Sequence, residues 1–448
     1  MSYKIYWKNR SMPPHNQVPH LQTALQGPLL ELESHLLNHR NEIESWFRKQ
    51  FKNTPAPFYA SVDLRNAGYK LAPVDTNLFP AGFNNLHPDL RSLAVHAAQT
   101  AVTLDCPDTD GILIIPENHT RNLFYLENLF ALQQILETAG YEVEIGSMME
   151  GLEEPMSIEL PSDNSVTLKP IIRKGNRVGV EGFFPCGVLL NNDLSGGRPE
   201  ILEGIEQKLL PPLELGWADR YKTEHFAHYS DVTSSFAKII DIDPWLITPT
   251  SIPCGPINFK ERTGLEHLAQ GVNQVLEETQ NYYNTHEISC KPFVIVKSDS
   301  GTYGMAIMSV DSAEDVLNLN RKQRNKMSSV KEGLFVEQML VQEGVYTYEE
   351  IDEAVAEPVV YMIGSQVVGG FYRVHTGKTA TDNLNSPGMH FEPLSFADSC
   401  VLPDESQNPD ATPNRFYAYG VIARLALLAA AREIAEAKGE LTELSAIK

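Results

Sequence analysis

Lys297 ends an apolar run, Phe293-Val294-Ile295-Val296, and is followed by Ser298, Ser300, Gly301, Thr302, Tyr303, Gly304 and Met305. An ammonium among such residues is costly to bury without an anionic partner. Hydroxyls, small residues and free backbone N–H groups are what a loop needs to close over phosphate. The chemistry that suits this segment is the gripping of a nucleotide phosphate. It is not a Walker loop, because no GxxxxGK[ST] is present and the lysine precedes the glycines, and it is not a Rossmann fingerprint. An ordinary hairpin, with Gly301 and Gly304 in the turn and Lys297 snorkelling at a strand end, is the competing reading.

Three more groups follow in chain order. Gln342-Glu343-Gly344-Val345 closes an apolar strand, Arg373 lies late in a hairpin, and Asp382-Asn383-Leu384-Asn385-Ser386-Pro387-Gly388 combines amide and carboxylate oxygens with turn residues. Taken singly, each is a surface arginine or a turn. Their order and spacing are what independent turns would rarely reproduce.

The elements that must carry these groups are strands and helices in alternation. Leu21 to Phe51 has helical spacing, and Ser61 to Leu86 is a long loop-like stretch rich in Asn, Asp, Gly and Pro. Gly111 to Pro116 predicts a buried strand, Leu123 to Ala139 a helix, and Tyr141 to Gly146 and Gly187 to Leu190 two more strands. That rhythm belongs to a parallel α/β layer. Ligands of such sheets sit beyond the carboxyl ends of the strands, which selects the loops Glu117 to Asn122 and Asn191 to Gly197. From about Leu215 the chain reads as a second unit. Trp217 to Lys222 opens a helix, Leu265 to Tyr283 is another, and Asn414 to Lys438 is an alanine-rich last one. The expected fold class is α/β (α+β), divided into 1–214 and 215–448.

With 448 residues the chain is long enough for two or three domains. A net charge of −22, from 36 basic and 58 acidic side chains, disfavours nucleic acid as a partner. No apolar run approaches the roughly 18 residues of a membrane span, and the N-terminus has no apolar signal core. A cytoplasmic protein acting on small molecules is expected; a homo-oligomer is compatible with the sequence. The basic run Arg321 to Lys326 reads as a solvated helix face. Cys106, Cys186, Cys254, Cys290 and Cys400 are widely spaced without a CxxC. They support neither zinc nor a disulfide framework, and each is expected as a buried structural residue.

The order of lysine, hinge, arginine and asparagine loop resembles the ATP-grasp ligases. The strings KSDSGTYGMAIMSV, LNRKQRNKM, VQEGVYTYEEIDEAVAEPVVYMI and VVGGFYRVHTGKTATDNLNSPGMHF, with SVDLRNAGYKLAPVDTNLFPAGFNNL upstream, resemble more closely the smaller bacterial glutamate-cysteine ligase family. The resemblance implies ATP and Mg2+, an ATP-grasp-like 215–448 half, and an α/β substrate half ahead of it. It implies formation of gamma-glutamylcysteine, the first step of glutathione synthesis, through a gamma-glutamyl phosphate. Lys297 and the Ser300 to Met305 loop would hold phosphates, Gln342, Glu343, Gly344 and Val345 would form the adenine and ribose hinge, and Arg373 would face the acyl phosphate. The family's E-x-N-x-x-P-G metal loop has Asn383 where glutamate is expected. Asn383 and Asn385 would therefore need a carboxylate from Glu357, Asp382 or Glu392, because magnesium prefers charged oxygens. Arg65, Asn77, Asn84, Arg121 and Asn122 are candidate partners for the carboxylates of glutamate; local ion pairs among Asp63, Arg65 and Asp75 are the alternative. A glutathione synthetase-like ligase and a non-catalytic nucleotide-binding regulator remain the rival readings.

Overall fold

The computed structural model describes residues 21–22, 28–118, 121–300, 306–328, 338–394 and 416–439. Mixed α/β architecture is built around three larger sheets. In the six-stranded sheet the order is Lys208–Leu210, Gly187–Asn191, Gly111–Pro116, Glu142–Ser147, Ser165–Pro170 and Met156–Glu159. All neighbours in it are parallel except the last pair. Gly111–Pro116 and Gly187–Asn191 are buried along their whole length, as strands covered on both faces must be. The expected α/β layer is thus present, with the helix Leu123–Thr138 in its predicted place.

The Ser61 to Leu86 stretch departs from the loop expected of it. It forms the antiparallel strands Tyr59–Asn66 and Leu71–Asn77. Tyr59–Asn66 does alternate, Ala60, Val62 and Leu64 against Ser61, Asp63 and Arg65, but its polar side chains are mostly buried too, and the Asn, Asp, Gly and Pro around it make the whole stretch read as loop. Tyr59–Asn66 pairs with Ala354–Ile363, which pairs on with Gln366–His375. The seven-stranded sheet therefore takes strands from both sides of residue 214.

Four antiparallel strands, Ser251–Cys254, Met339–Glu343, Val294–Ser298 and Ile307–Val310, make the third sheet. The helix Leu265–Thr285 lays Leu268, Val272 and Val275 against Val294, Val296 and Val341 of that sheet in one core. Val294–Ser298 and Ile307–Val310 flank the expected phosphate loop, of which Gly301, Thr302, Tyr303, Gly304 and Met305 lie outside the described residues, as does His119.

At the centre lies the helix Phe416–Ala437, buried on all sides from Tyr417 to Ala431. It packs on the helix Lys222–Ile240 and on both strands of the 59–77 hairpin. A helix apolar all round belongs in a core or a membrane, and among the described residues none is long and apolar enough to cross a membrane. Its Arg424 is held by Glu44, with Nη1 and Nη2 donating over 2.8 and 2.7 Å. Cys106 and Cys254 are buried thiols as expected, whereas Cys186 and Cys290 are exposed. Cys400 lies outside the described residues.

Candidate functional site

The four-stranded sheet and the seven-stranded sheet face each other across a cleft partly open to solvent. The 59–77 hairpin contributes Asp63, Arg65, Val74 and Asp75, and the lysine strand and its neighbours contribute Ile295, Lys297, Ile307, Gln342, Glu343 and Val345. The long hairpin contributes Glu357, the loop beyond it Asn383 and Asn385, and the first turn of Lys222–Ile240 contributes Lys222.

Lys297 is 5% exposed. Its Nζ donates to the Val74 carbonyl (2.7 Å) and to Gln342 Oε1 (2.9 Å), and it sits 4.9 Å from the Phe226 ring. No carboxylate of the described residues is within ion-pair distance of it. Burial pushes its pKa down to about 7, with Lys222 adding to the fall and Asp75, Asp63 and Asp299 opposing it. A buried ammonium whose contacts are all neutral is a position prepared for an anion. Gln342 lies next to it on the adjoining strand, and its buried Nε2 has no hydrogen-bond partner.

The neighbouring cations are arranged differently. Lys222 Nζ donates to Asp75 Oδ1 (3.2 Å) and lies over the Trp217 ring at 3.7 Å. Burial lowers its pKa while Asp75 opposes that. Asp75 is held down at about 2, because Lys222, Lys297 and Arg220 together outweigh the upward push of burial. Arg220 is itself clamped to Glu433 of the central helix (2.7 and 3.1 Å) and to the Thr76 carbonyl (2.7 Å). On the opposite wall Arg373 Nη1 donates to Asp63 (2.7 Å) and to Glu357 (2.5 Å), and its buried Nε has no partner. Burial lowers the Arg373 pKa, but Asp63 and Glu357 more than offset this and hold it above its ordinary value. Arg65 donates from Nε to the other oxygen of Glu357 (3.1 Å), from Nη1 to the Val345 carbonyl (3.2 Å) and from Nη2 to the Asp382 carbonyl.

The hinge is committed to its own surroundings. Glu343 Oε2 accepts from Lys70 (2.7 Å), Trp245 Nε1 (3.3 Å) and the Thr250 amide (2.9 Å), while Oε1 is buried without a partner. Gly344 donates its N–H to the Phe293 carbonyl (2.8 Å). A Cβ there would stand 2.3 Å from the Phe293 ring, so only glycine fits.

The cleft thus gathers Lys297, Gln342, Glu343, Val345, Arg65, Glu357, Asn383 and Asn385 from the sequence-derived candidates, with Arg373 bonded to two of its lining residues. Ser300 is half-buried beside the undescribed loop. Asn77, Asn84, Arg121, Asn122 and Glu392 do not line the cleft. Asn77 folds back on the Phe79 amide (2.9 Å), Asn84 and Arg121 are exposed, and Asn122 caps the helix Leu123–Thr138 through the Tyr125 amide (3.3 Å). Glu392 lies on the edge strand His390–Pro393, opposite Tyr372. Sequence reasoning missed Lys222, and it weighed Asp63 and Asp75 only as local ion-pair partners. Their partners are 310 and 147 residues away. The one local signal was the pair of basic residues Arg220 and Lys222 set beside the aromatics Trp217 and Tyr221.

The donor set around Glu357, Asn383 and Asn385 is oxygen-only, which suits a hard cation. Both Glu357 oxygens are engaged by arginines, and Asn383 Oδ1 accepts from the Asn385 amide (3.0 Å). Among the described residues no group of three or more His, Cys, Asp or Glu converges on one metal position. Any cation here would draw most of its oxygens from a phosphate ligand and water.

Residues 33–434 match the family model for glutamate-cysteine ligase. A crystal structure from Methylobacillus flagellatus KT, provisionally named gamma-glutamylcysteine synthetase, superposes with a TM-score of 0.87 at 58% identity, over 94% of this chain and 99% of that one. The glutathione synthetase-like effector GSS30 of Globodera pallida, in its apo form, aligns at 10% identity over 82% and 84% of the two chains, with a TM-score of 0.36. Comparison with curated proteins gives no match.

Proposed function

The chain belongs to the glutamate-cysteine ligase family and is a ligase, and from that premise we propose that it joins the gamma-carboxylate of L-glutamate to L-cysteine at the expense of ATP. The product would be gamma-glutamylcysteine, in the first step of glutathione synthesis. The observation that carries the reading is Lys297, a buried ammonium with neutral contacts only, facing a cleft between two sheets.

Amide formation from a carboxylate in water is uphill, so the carboxylate must first be activated. The gamma-carboxylate oxygen takes the terminal phosphoryl group of ATP, giving an acyl phosphate and ADP. The acceptor ammonium gives up one proton to become the free amine, the amine attacks the acyl carbon, and the C–N bond forms. The C–O bond to phosphate breaks with its electron pair leaving on phosphate, and the second nitrogen proton passes to the departing phosphate or to water. Charge develops on phosphate oxygens throughout, and fixed cations in a water-poor site are the most effective means of stabilising it. Lys297 and Lys222 would hold the nucleotide phosphates and Arg373 the transferred group, its unpartnered Nε being the free donor. Val74, Ile295, Ile307 and Val345 offer apolar surface for the base. Magnesium would enter with ATP, held near Glu357, Asn383 and Asn385, and would supply further neutralisation of phosphate charge. The lysine-bearing sheet and the arginine-bearing sheet would be the two walls of an ATP-grasp-like site.

ADP release measured with ATP, Mg2+ and an amino-acid panel tests this. It should require glutamate and cysteine together. Equal turnover with glycine and gamma-glutamylcysteine would assign the chain to the following ligation instead.

A further inference from the structure

The cleft carries one acidic side chain for which phosphate chemistry has no use. Asp63 stands opposite Asp75 in the 59–77 ladder, and the register slips immediately after it. Carboxylates placed directly opposite one another repel, and a local irregularity of this kind re-aims a side chain next to a site. Asp75 has a lysine of its own. Asp63 does not: it shares a single guanidinium nitrogen, Arg373 Nη1, with Glu357. Its side chain is 19% exposed, on the cleft side.

On the reading proposed above, on which this inference rests, Arg373 directs its charge at the acyl phosphate. Asp63 then loses part of its compensation in a site that excludes most water, where an under-compensated carboxylate is costly. The remaining reactant brings a positive charge of its own, the alpha-ammonium of the acceptor. We propose that Asp63 receives the ammonium of the acceptor amino acid and so holds the amine beside the acyl group that Arg373 steadies. Acceptor recognition would follow from charge: a thiol acid without an amino group has nothing to offer Asp63.

Asp63→Asn keeps the shape and removes the charge. Three quantities decide the matter: the KM for cysteine in ADP release, the rate of hydroxamate formation from glutamate, ATP and hydroxylamine, and the half-saturating Mg2+ concentration. Hydroxylamine is a neutral nucleophile near neutral pH and needs no carboxylate. The expected result is a cysteine KM raised about tenfold or more, as for the loss of a buried charge partner, with hydroxamate formation losing less than this, since the amide oxygen that Asp63→Asn introduces still accepts from Arg373 Nη1, and with Mg2+ dependence close to wild type. An unchanged cysteine KM overturns the proposal, as does joint loss of both reactions in a folded variant. A raised Mg2+ requirement overturns it too, making Asp63 a metal ligand. If the wild-type enzyme itself forms no hydroxamate, the acyl-phosphate reading fails and this inference with it. Should Asp63→Asn not fold, the wild-type enzyme decides. 2-Aminobutyrate, which keeps the ammonium, should compete with cysteine where 3-mercaptopropionate does not; equal competition by the two refutes the assignment.

Discussion

Two buried polar clusters in this molecule look alike in composition and differ in whether the chain completes them. Beyond the carboxyl ends of the parallel strands Gly111–Pro116 and Gly187–Asn191, where ligands of such sheets sit, Asn191 Nδ2 donates to Tyr59 (3.0 Å) and to the Pro80 carbonyl (2.9 Å). Asn128 Nδ2 donates to Asn191 Oδ1 (3.0 Å), and Asn128 Oδ1 accepts from the amides of Gly82 (2.9 Å) and Phe83 (3.0 Å). In the cleft between the two antiparallel walls, by contrast, Gln342 Nε2, Glu343 Oε1 and Arg373 Nε are buried without partners, and Lys297 has no anion. Single buried groups without partners occur elsewhere too, Ser195 Oγ and Thr279 Oγ1 among them, but several converging beside a lysine with neutral contacts suit a ligand, whereas a satisfied network specifies a fold. At the crevice the Pro80–Phe83 segment supplies the partners of Asn191 and Asn128.

The strongest way to break this contrast is Arg373→Lys. It keeps a charge but loses the planar guanidinium whose Nη1 reaches both Asp63 and Glu357 and whose Nε is the unpartnered donor. We expect kcat to fall by on the order of 10^2 or more, the scale of losing a fixed charge donor, with ground-state ATP binding little altered. A wild-type kcat with only a raised KM for ATP would remove Arg373 from the reaction.

Lys297→Met should weaken ATP binding by roughly 10–100-fold, about 1.5–3 kcal/mol for a charged hydrogen bond, without lowering the melting temperature, because the ammonium is costly to bury in the free protein. Its pKa of about 7 sets a sign as well. Phosphate favours the protonated form, so ATP binding above neutral pH should take up protons and weaken as pH rises. Calorimetry in buffers of different ionisation enthalpy measures that uptake, which Lys297→Met should abolish.

Asn191→Ala should do the reverse. Leaving Asn128 and the Pro80 carbonyl without their partner should cost about 1–3 kcal/mol of stability per orphaned group, seen in denaturant midpoints, while KM for all three substrates stays put. A selective rise in the KM for glutamate would reopen the crevice as a substrate site. The smallest effect is expected for Asn122→Ala, about 0.5–2 kcal/mol from a lost helix cap, again with unchanged kinetics. A kinetic defect there would restore Asn122 to the substrate residues.

What the sequence determined alone lies in contiguous strings. The apolar strand ending in Lys297, the strand running into Gln342 and Glu343, the hairpin turning at Gly364-Ser365 and carrying Arg373, and the Asn383-to-Gly388 turn each announce themselves, because strand burial, turn chemistry and a misplaced charge are local properties. The family resemblance rests on those same strings. Tertiary structure alone decided that Lys222 and Asp75 form a pair and that Asp63 and Glu357 share Arg373, whereas the Asn122 cap is a local contact with Tyr125 that an asparagine just before a helix already signals. The fold also decided that 59–77 is a hairpin inside a sheet, since the alternation from Ala60 to Arg65 marks a strand but not its distant partner, Ala354–Ile363. An ion pair carries no mark in either partner's neighbourhood when 147 or 310 residues separate them. A side chain's charge is written in the sequence; what compensates it is written only in the fold.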